Sequence, residues 1–378
     1  VERPYPSRSP RPVHRPSCQN PTGQATAHTT GTQPSLHPTM GSTGKIEEYL
    51  KNYKVKDVVS DQQEIFSIPS TSTVEEGLKE LATRKILSLP VLDKKTNKYI
   101  GIVSISDIVI AICFNPCFSK LGKGADSIEK LTKEDMGEIL KKSVLKNPIQ
   151  DVLGMTEEGK NLWVFQESEE MAKLAEYFAQ GVHRALVIRE GKGPVFVTQY
   201  DIVKFLMSTT KADNSLAIAE LMKKTLSDLG HVRKEKKVVS VKDNESALAG
   251  FRRLLQWQSF RDWNLAALPV VDSKTGKIVG NLSESDLRGL NEERLLDLLF
   301  TVPMFLKTFY GEMRKPVTVE ASTTFGEAMN KIIASEVHRL WIVDADSKPI
   351  GVFSLSDIIS QFTAFSWSHL KALDKMFE

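Results

Sequence analysis

Apolar side chains fall at Phe325, Ala328, Met329, Ile332 and Ile333, the i, i+3, i+4, i+7, i+8 spacing of one buried helical face. A helix start is predicted just before them, because Thr324-x-x-Glu327 can exchange side-chain and backbone hydrogen bonds as a capping box. Thr73-x-x-Glu76 marks a second such start, and Ser168 and Asn244 are the caps expected for two more. Behind each helical stretch come two short runs rich in Val and Ile, separated by turns such as Lys274-Thr275-Gly276 and Asp346-Ser347, which read as adjacent strands. A further helix is predicted to open at each Asp of Asp107-Ile-Val-Ile-Ala, Asp201-Ile-Val-Lys-Phe, Asp286-Leu-Arg-Gly-Leu and Asp357-Ile-Ile-Ser-Gln. The unit is therefore strand, helix, strand, strand, helix, and it occurs four times.

The repeats align residue by residue. The fourth reads His338-Arg-Leu-Trp-Ile-Val-Asp344, a turn, then Gly351-Val-Phe-Ser354-Leu-Ser-Asp357. The first has Leu89-Pro-Val-Leu-Asp93 and Gly101-Ile-Val-Ser104-Ile-Ser-Asp107; the third has Leu268-Pro-Val-Val-Asp272 and Gly280-Asn-Leu-Ser283-Glu-Ser-Asp286. A looser second copy has His183-Arg-Ala-Leu-Val-Ile188 and Val195-Phe-Val-Thr198-Gln-Tyr-Asp201, and in every copy a Ser or Thr precedes the Asp by three. A single unit cannot cover its own apolar helices. Pairing is expected, giving an α+β (or α/β) fold of two modules, about 45–212 (repeats about 54–113 and 147–208) and 213–378 (repeats about 217–290 and 314–363).

Residues 1–42 differ in kind, with eight prolines, many Ser and Thr and almost no large apolar side chains, and they read as a disordered leader. No Met precedes Met40, which makes Met40 a candidate natural start. The 378 residues hold 50 Lys and Arg against 47 Asp and Glu, and the leader's four Arg and single Glu account for the whole +3. The remainder is balanced, so general nucleic-acid binding is not expected. Asp107 and Pro116 bound the apolar run 108–114, and Asp297 and Pro303 interrupt 295–306, so no span of about 20 apolar residues is present. Cys18, Cys113 and Cys117 are too few for a disulfide framework and lack a second pair for zinc; a reducing compartment, cytoplasm and nucleus, is expected, with no metal.

The four units resemble the cystathionine β-synthase (CBS) domain. With two His-Arg pairs in alternate repeats, the whole of roughly 54–363 is similar to the gamma subunit of AMP-activated protein kinase and its fungal and plant relatives. The resemblance implies a pseudo-symmetric disc of two CBS pairs that binds AMP, ADP or ATP in its clefts and regulates a kinase. The expected partners are a catalytic alpha subunit and a scaffold beta subunit. It also implies ribose contacts by Asp107, Asp201, Asp286 and Asp357. Ser104, Ser106, Thr198, Ser283, Ser354 and Ser356 would lie near ribose and phosphate, and His183, Arg184, His338 and Arg339 at the phosphates. The nucleotide is a ligand here, with no catalytic cofactor implied.

The same residues have a physical reading of their own. A carboxylate in the first turn of a helix is held by backbone amides and the dipole, and from there it can accept two hydroxyls of a diol. Ser-x-x-Asp is also ordinary helix capping, worth about 1 kcal/mol each, and the two roles can coexist. Repeats 1 and 3 carry Leu87-Ser88 and Ala266-Ala267 where the others carry His-Arg, so cations in alternate units suggest charge pooled at a shared axis. Pairing of each Arg with an acid such as Glu336 is the competing reading. Where the animal gamma subunit carries further cations, this chain has Leu87, Tyr200 and Glu284, which implies weaker phosphate binding or fewer filled clefts. The run 233–237 offers charge beside a cleft or a solvated loop. The extra length 256–263 and Phe114, Phe118, Phe305, Phe365 and Trp367 are expected in packing. No Ser-His-Asp order, P-loop or Gly-rich phosphate loop appears, so an enzyme is not expected. A nucleotide-sensing kinase subunit and a stand-alone four-CBS scaffold with partly vestigial sites remain.

Overall fold

A computed structural model describes residues 46–59, 65–118, 131–156, 159, 161–232, 238–258 and 266–364. The leader, the run 233–237, Phe365, Trp367 and most of the extra length in repeat 3 lie outside the described residues. Among the described residues there are four three-stranded sheets, β1–β3, β4–β6, β7–β9 and β10–β12, each with its strands in chain order. In each the first strand (β1 Ile68–Pro69, β4 Val164–Gln166, β7 Val241–Lys242, β10 Thr318–Glu320) pairs parallel with the second across a helical crossover. The second (β2 Ser88–Asp93, β5 Arg184–Ile188, β8 Ala267–Val271, β11 Arg339–Val343) pairs antiparallel with the third (β3 Lys98–Ser104, β6 Val195–Thr198, β9 Ile278–Ser283, β12 Pro349–Ser354).

Register makes the repeats equivalent. Ser88 faces Ser104, Arg184 faces Thr198, Ala267 faces Ser283, and Arg339 faces Ser354. The His-Arg dipeptides and their Leu-Ser and Ala-Ala counterparts thus occupy one structural position, at the entry of the second strand.

The capping boxes predicted at Thr73 and Thr324 start the helices Val74–Arg84 and Phe325–Ala334. The other two crossover helices begin slightly later than their expected caps, at Met171 behind Glu170 and at Ala247 behind Ser246, whose hydroxyl accepts from Ala249 N at 3.2 Å. The helix expected at Asp286 is a 3-10 turn, Glu284–Leu287, stopped before Gly289, whose φ of 81° ends the helical path. Phe118 and Phe305 are buried as expected, whereas Phe114 is 47% exposed.

Two physical links join the repeats, and they run in different directions. Consecutive repeats exchange segments: Val55 N donates to Glu169 O at 2.9 Å and Met171 N to Tyr53 O at 3.0 Å, while Ile149 N donates to Ser72 O at 2.7 Å. Repeats 3 and 4 do the same, through Leu226 N to Thr323 O and Val302 N to Glu245 O, both 2.9 Å. The apolar helices are covered otherwise. Sequence reasoning expects neighbours to bury each other's helices, but one core joins repeats 1 and 3 (Ile108, Ile112, Phe251, Leu254, Phe305) and the other repeats 2 and 4 (Phe178, Leu206, Phe325, Ile358, Phe362). The exchanged segments bond the first residues of the crossover helices, as in Met171 N to Tyr53 O and Phe325 N to Lys224 O, while the apolar helix faces meet those of the alternate repeat. Each fully buried Leu, Ile or Phe there contributes about 1.5–3 kcal/mol.

Candidate functional site

The third strand of each repeat ends at the Ser or Thr that caps the following turn, and this local geometry fixes the Asp three residues on. The cap's backbone N–H and hydroxyl both donate to Oδ2: 2.9 and 2.7 Å at Asp107, 2.8 and 2.6 Å at Asp201, 2.7 and 3.1 Å at Asp286, 2.8 and 2.6 Å at Asp357. Capping is therefore realised in all four repeats, on one carboxylate oxygen. The difference lies on the other.

Asp107 Oδ1 accepts from Thr156 N at 2.7 Å and Thr156 Oγ1 at 2.9 Å, and the side chain is completely buried. Asp286 Oδ1 accepts from Tyr310 Oη at 2.9 Å, and burial pushes its carboxyl above the usual range, against the hydrogen bonds from Ser283 and Tyr310. Asp357 Oδ1 has His231 Nδ1 near it at 3.8 Å, beyond hydrogen-bond distance. Asp201 Oδ1 accepts no hydrogen bond among the described residues. The four acids, equivalent in sequence, form two classes in space: closed in repeats 1 and 3, open in repeats 2 and 4.

A cavity of about 660 Å³ is bordered by residues of all four repeats. Nine of the fourteen residues implied as ligand contacts line it: His183, Arg184, His338, Arg339, Ser106, Thr198, Ser354, Ser356 and Asp357. Asp107, Asp201, Ser283 and Asp286 do not, and Ser104 lines a separate void of about 10 Å³ with Trp163 and Arg184. Lys85 and His231 also border the cavity; neither belongs to the repeat motif, and no local signal marks them.

The positive charge is real but partly balanced. Burial pulls the Arg339 guanidinium down to about 10, while Glu284 and Asp286 favour its charged form. Its balancing acids are thus these two, from repeat 3, and the Glu336 of the competing reading is not among them. Glu284, singled out as a carboxylate that would repel phosphate, accepts from Ser106 Oγ across repeats 1 and 3. The equivalent bond across repeats 2 and 4 runs from Gln199 Nε2 to Ser356 Oγ at 2.8 Å. His338 is held down to about 4 by the surrounding protein and then by Arg339, His183, Arg184 and Arg288. Its ring keeps accessible surface and lines the cavity, so water there softens the penalty while the neighbouring cations preserve its direction. Tyr200, where the animal gamma subunit has a cation, packs 6.1 Å from the His338 ring with Lys204 4.7 Å over its own. What results is a water-accessible chamber, within the roughly 300–1,000 Å³ of small-molecule sites, with an imidazole-guanidinium pair from each of two repeats and one open carboxylate on its wall. Such a wall suits a ligand that carries both anionic oxygens and a diol.

Comparison with known proteins agrees with this architecture. The CBS domain family is matched over residues 55–113 and 309–363, the first and fourth units. The SNF1-related protein kinase regulatory subunit gamma-like PV42a of Arabidopsis thaliana is 25% identical over 360 residues, covering 82% of this chain and 94% of that protein. The 5'-AMP-activated protein kinase subunit gamma of Dictyostelium discoideum is 34% identical over 102 residues, 25% of this chain and 18% of that one. Among solved structures, a Methanocaldococcus jannaschii protein described as an archaeal homologue of the AMPK gamma subunit superposes with a TM-score of 0.59 at 16% identity, over 82% of this chain and all of that one. That likeness establishes the fold. The chain carries CBS domains and resembles gamma-type kinase regulatory subunits in sequence.

Proposed function

We propose that this CBS-domain protein is a non-catalytic regulatory subunit of a Ser/Thr kinase complex that senses AMP, ADP or ATP in its central cavity. The observation that carries the reading is the convergence of His183-Arg184 and His338-Arg339, 155 positions apart in sequence, on one chamber that also holds Asp357 and Ser356. The guanidiniums take phosphate oxygens and the open Asp357 oxygen takes a ribose hydroxyl. Each charge-assisted bond is worth about 1.5–3 kcal/mol. The similarity to gamma-type regulatory subunits along 82% of the chain supports the kinase assignment, with alpha and beta subunits as partners.

Calorimetry with AMP, ADP and ATP tests it. Micromolar binding by the wild type, lost in His338→Ala/Arg339→Ala and in Asp357→Ala, is the expected result. A folded protein that binds none of the three at millimolar concentration rejects the sensor reading. One observation favours a scaffold with fewer sites than repeats: the closure of Asp107 and Asp286 by the chain itself. Copurification separates the two readings, since a scaffold without nucleotide has no reason to bring down a Ser/Thr kinase in a nucleotide-dependent way.

A further inference from the structure

The stretches that lead from one repeat to the next pass over three of the acids just described, Asp107, Asp286 and Asp357, and each delivers a different side chain. Tyr310 closes the helix Val302–Tyr310, and Gly311, with φ 78°, turns the chain away. Two contacts hold the ring in place: the Arg314 guanidinium stacks 4.3 Å from its centroid, and its hydroxyl donates to Asp286 Oδ1 at 2.9 Å. In repeat 1 the corresponding stretch brings Thr156, whose N–H and hydroxyl supply two donors to one oxygen of Asp107, as the two hydroxyls of a diol would. In repeat 4 the stretch brings His231, which stops 3.8 Å short of Asp357. Asp107, Asp286 and Asp357 have the same cap and the same hydrogen bonds on Oδ2, so the passing stretch sets the difference among these three.

We infer that Tyr310 is a built-in occupant of the repeat 3 ligand position, its phenol donating to the Asp286 oxygen that a ligand hydroxyl would otherwise claim. A diol-bearing ligand such as the ribose of an adenine nucleotide can use Asp286 only by displacing that ring. Thr156 holds the same office on Asp107. Tyr310 is thus a determinant of how many ligands the chain takes and on which side. The inference rests on the nucleotide reading above in the identity of the ligand.

The test is titration calorimetry of the full chain with AMP, ADP and ATP. Asp286→Asn, whose one oxygen keeps the Ser283 bonds while its amide N–H donates to the Tyr310 hydroxyl, leaves affinity and stoichiometry within about twofold, whereas Asp357→Asn weakens binding about tenfold or more. Tyr310→Ala adds one site per chain, and Tyr310→Ala/Asp286→Asn removes it again. If Tyr310→Ala shows no cooperative thermal transition, Tyr310→Phe replaces it, keeping the ring and removing the donor, with a weaker gain of the same kind. Equal losses from Asp286→Asn and Asp357→Asn overturn the inference, as does a folded Tyr310 variant that gains no site. Should the wild type bind nothing, the nucleotide reading fails at Asp357, while new binding in Tyr310→Ala still supports the occupant and its absence rejects it.

Discussion

Repeats 1 and 3 and repeats 2 and 4 are built on one sheet order and one cap, yet they present opposite chemistry to the centre. The first pair brings Leu87-Ser88 and Ala266-Ala267 to the strand entry and has its acids bonded by Thr156 and Tyr310. The second brings His183-Arg184 and His338-Arg339 and leaves an oxygen of Asp201 and Asp357 without a hydrogen bond among the described residues. Each pair also shares its own apolar core. The lesson is that specialisation follows the packing partner, since repeats that bury each other's helices are also the ones that are alike at the site.

The largest effects should fall on the cores and test whether they are separable. Phe251→Ala in the core of repeats 1 and 3, and Phe325→Ala in that of repeats 2 and 4, each remove a completely buried ring and should cost about 3–5 kcal/mol in urea denaturation. Because exchanged segments tie the cores together, one shared transition is expected for both variants; two resolved transitions would break that coupling.

The next effect is on binding. Arg339→Ala should weaken nucleotide about tenfold or more, while Ser88→Ala at the same register position in repeat 1 changes it by less than about twofold. Comparable losses in the two variants would erase the distinction between the pairs.

A glycine series sharpens the comparison on stability. Gly101, Gly280 and Gly351 take the same place opposite Val91, Val270 and Ile342, where repeat 2 has Val195 opposite Val187. A Cβ on Gly351 would run into the backbone carbonyl of His231, on Gly280 it would meet the flexible Met313 thioether at 2.9 Å, and on Gly101 it would touch Leu153 at 3.5 Å. Alanine should therefore cost most at Gly351, about 1–3 kcal/mol, less at Gly280 and least at Gly101. Thermal midpoints in any other order would contradict the close pass of the 230–232 stretch.

The smallest effect is on pH. His338 is held down to about 4 in the folded chain against 6.5 unfolded, so below pH 6.5 the unfolded chain binds the proton first. Stability is lost as pH falls from about 6.5 towards 4 and is unaffected by this group above that window. His338→Gln should flatten that part of the stability profile, and an unchanged slope would mean that hydration of the ring cancels the shift altogether.

Much of the fold could be read from the chain because its signals are local. Ser104 and Asp107, or Thr324 and Glu327, are three residues apart, and a hydrogen bond at that separation depends on the backbone turn alone. The strand-helix-strand-strand order, the equivalence of the four acids and the alternate placing of the His-Arg pairs all came from such spacing. Glu284 stood out because a carboxylate is rare company for phosphate, but the Ser106 that it bonds is 178 positions away.

The sequence by itself determined four units, their caps and the cations available to a centre. Tertiary structure decided which helices cover which, that Asp107 and Asp286 are closed by Thr156 and Tyr310, 49 and 24 residues away, and that Asp357 is left open. The physical reason is that periodicity and caps report a residue's own turn of backbone. Which donor reaches the second oxygen of a carboxylate depends on the path of a segment far along the chain, fixed only when the apolar faces find their partners.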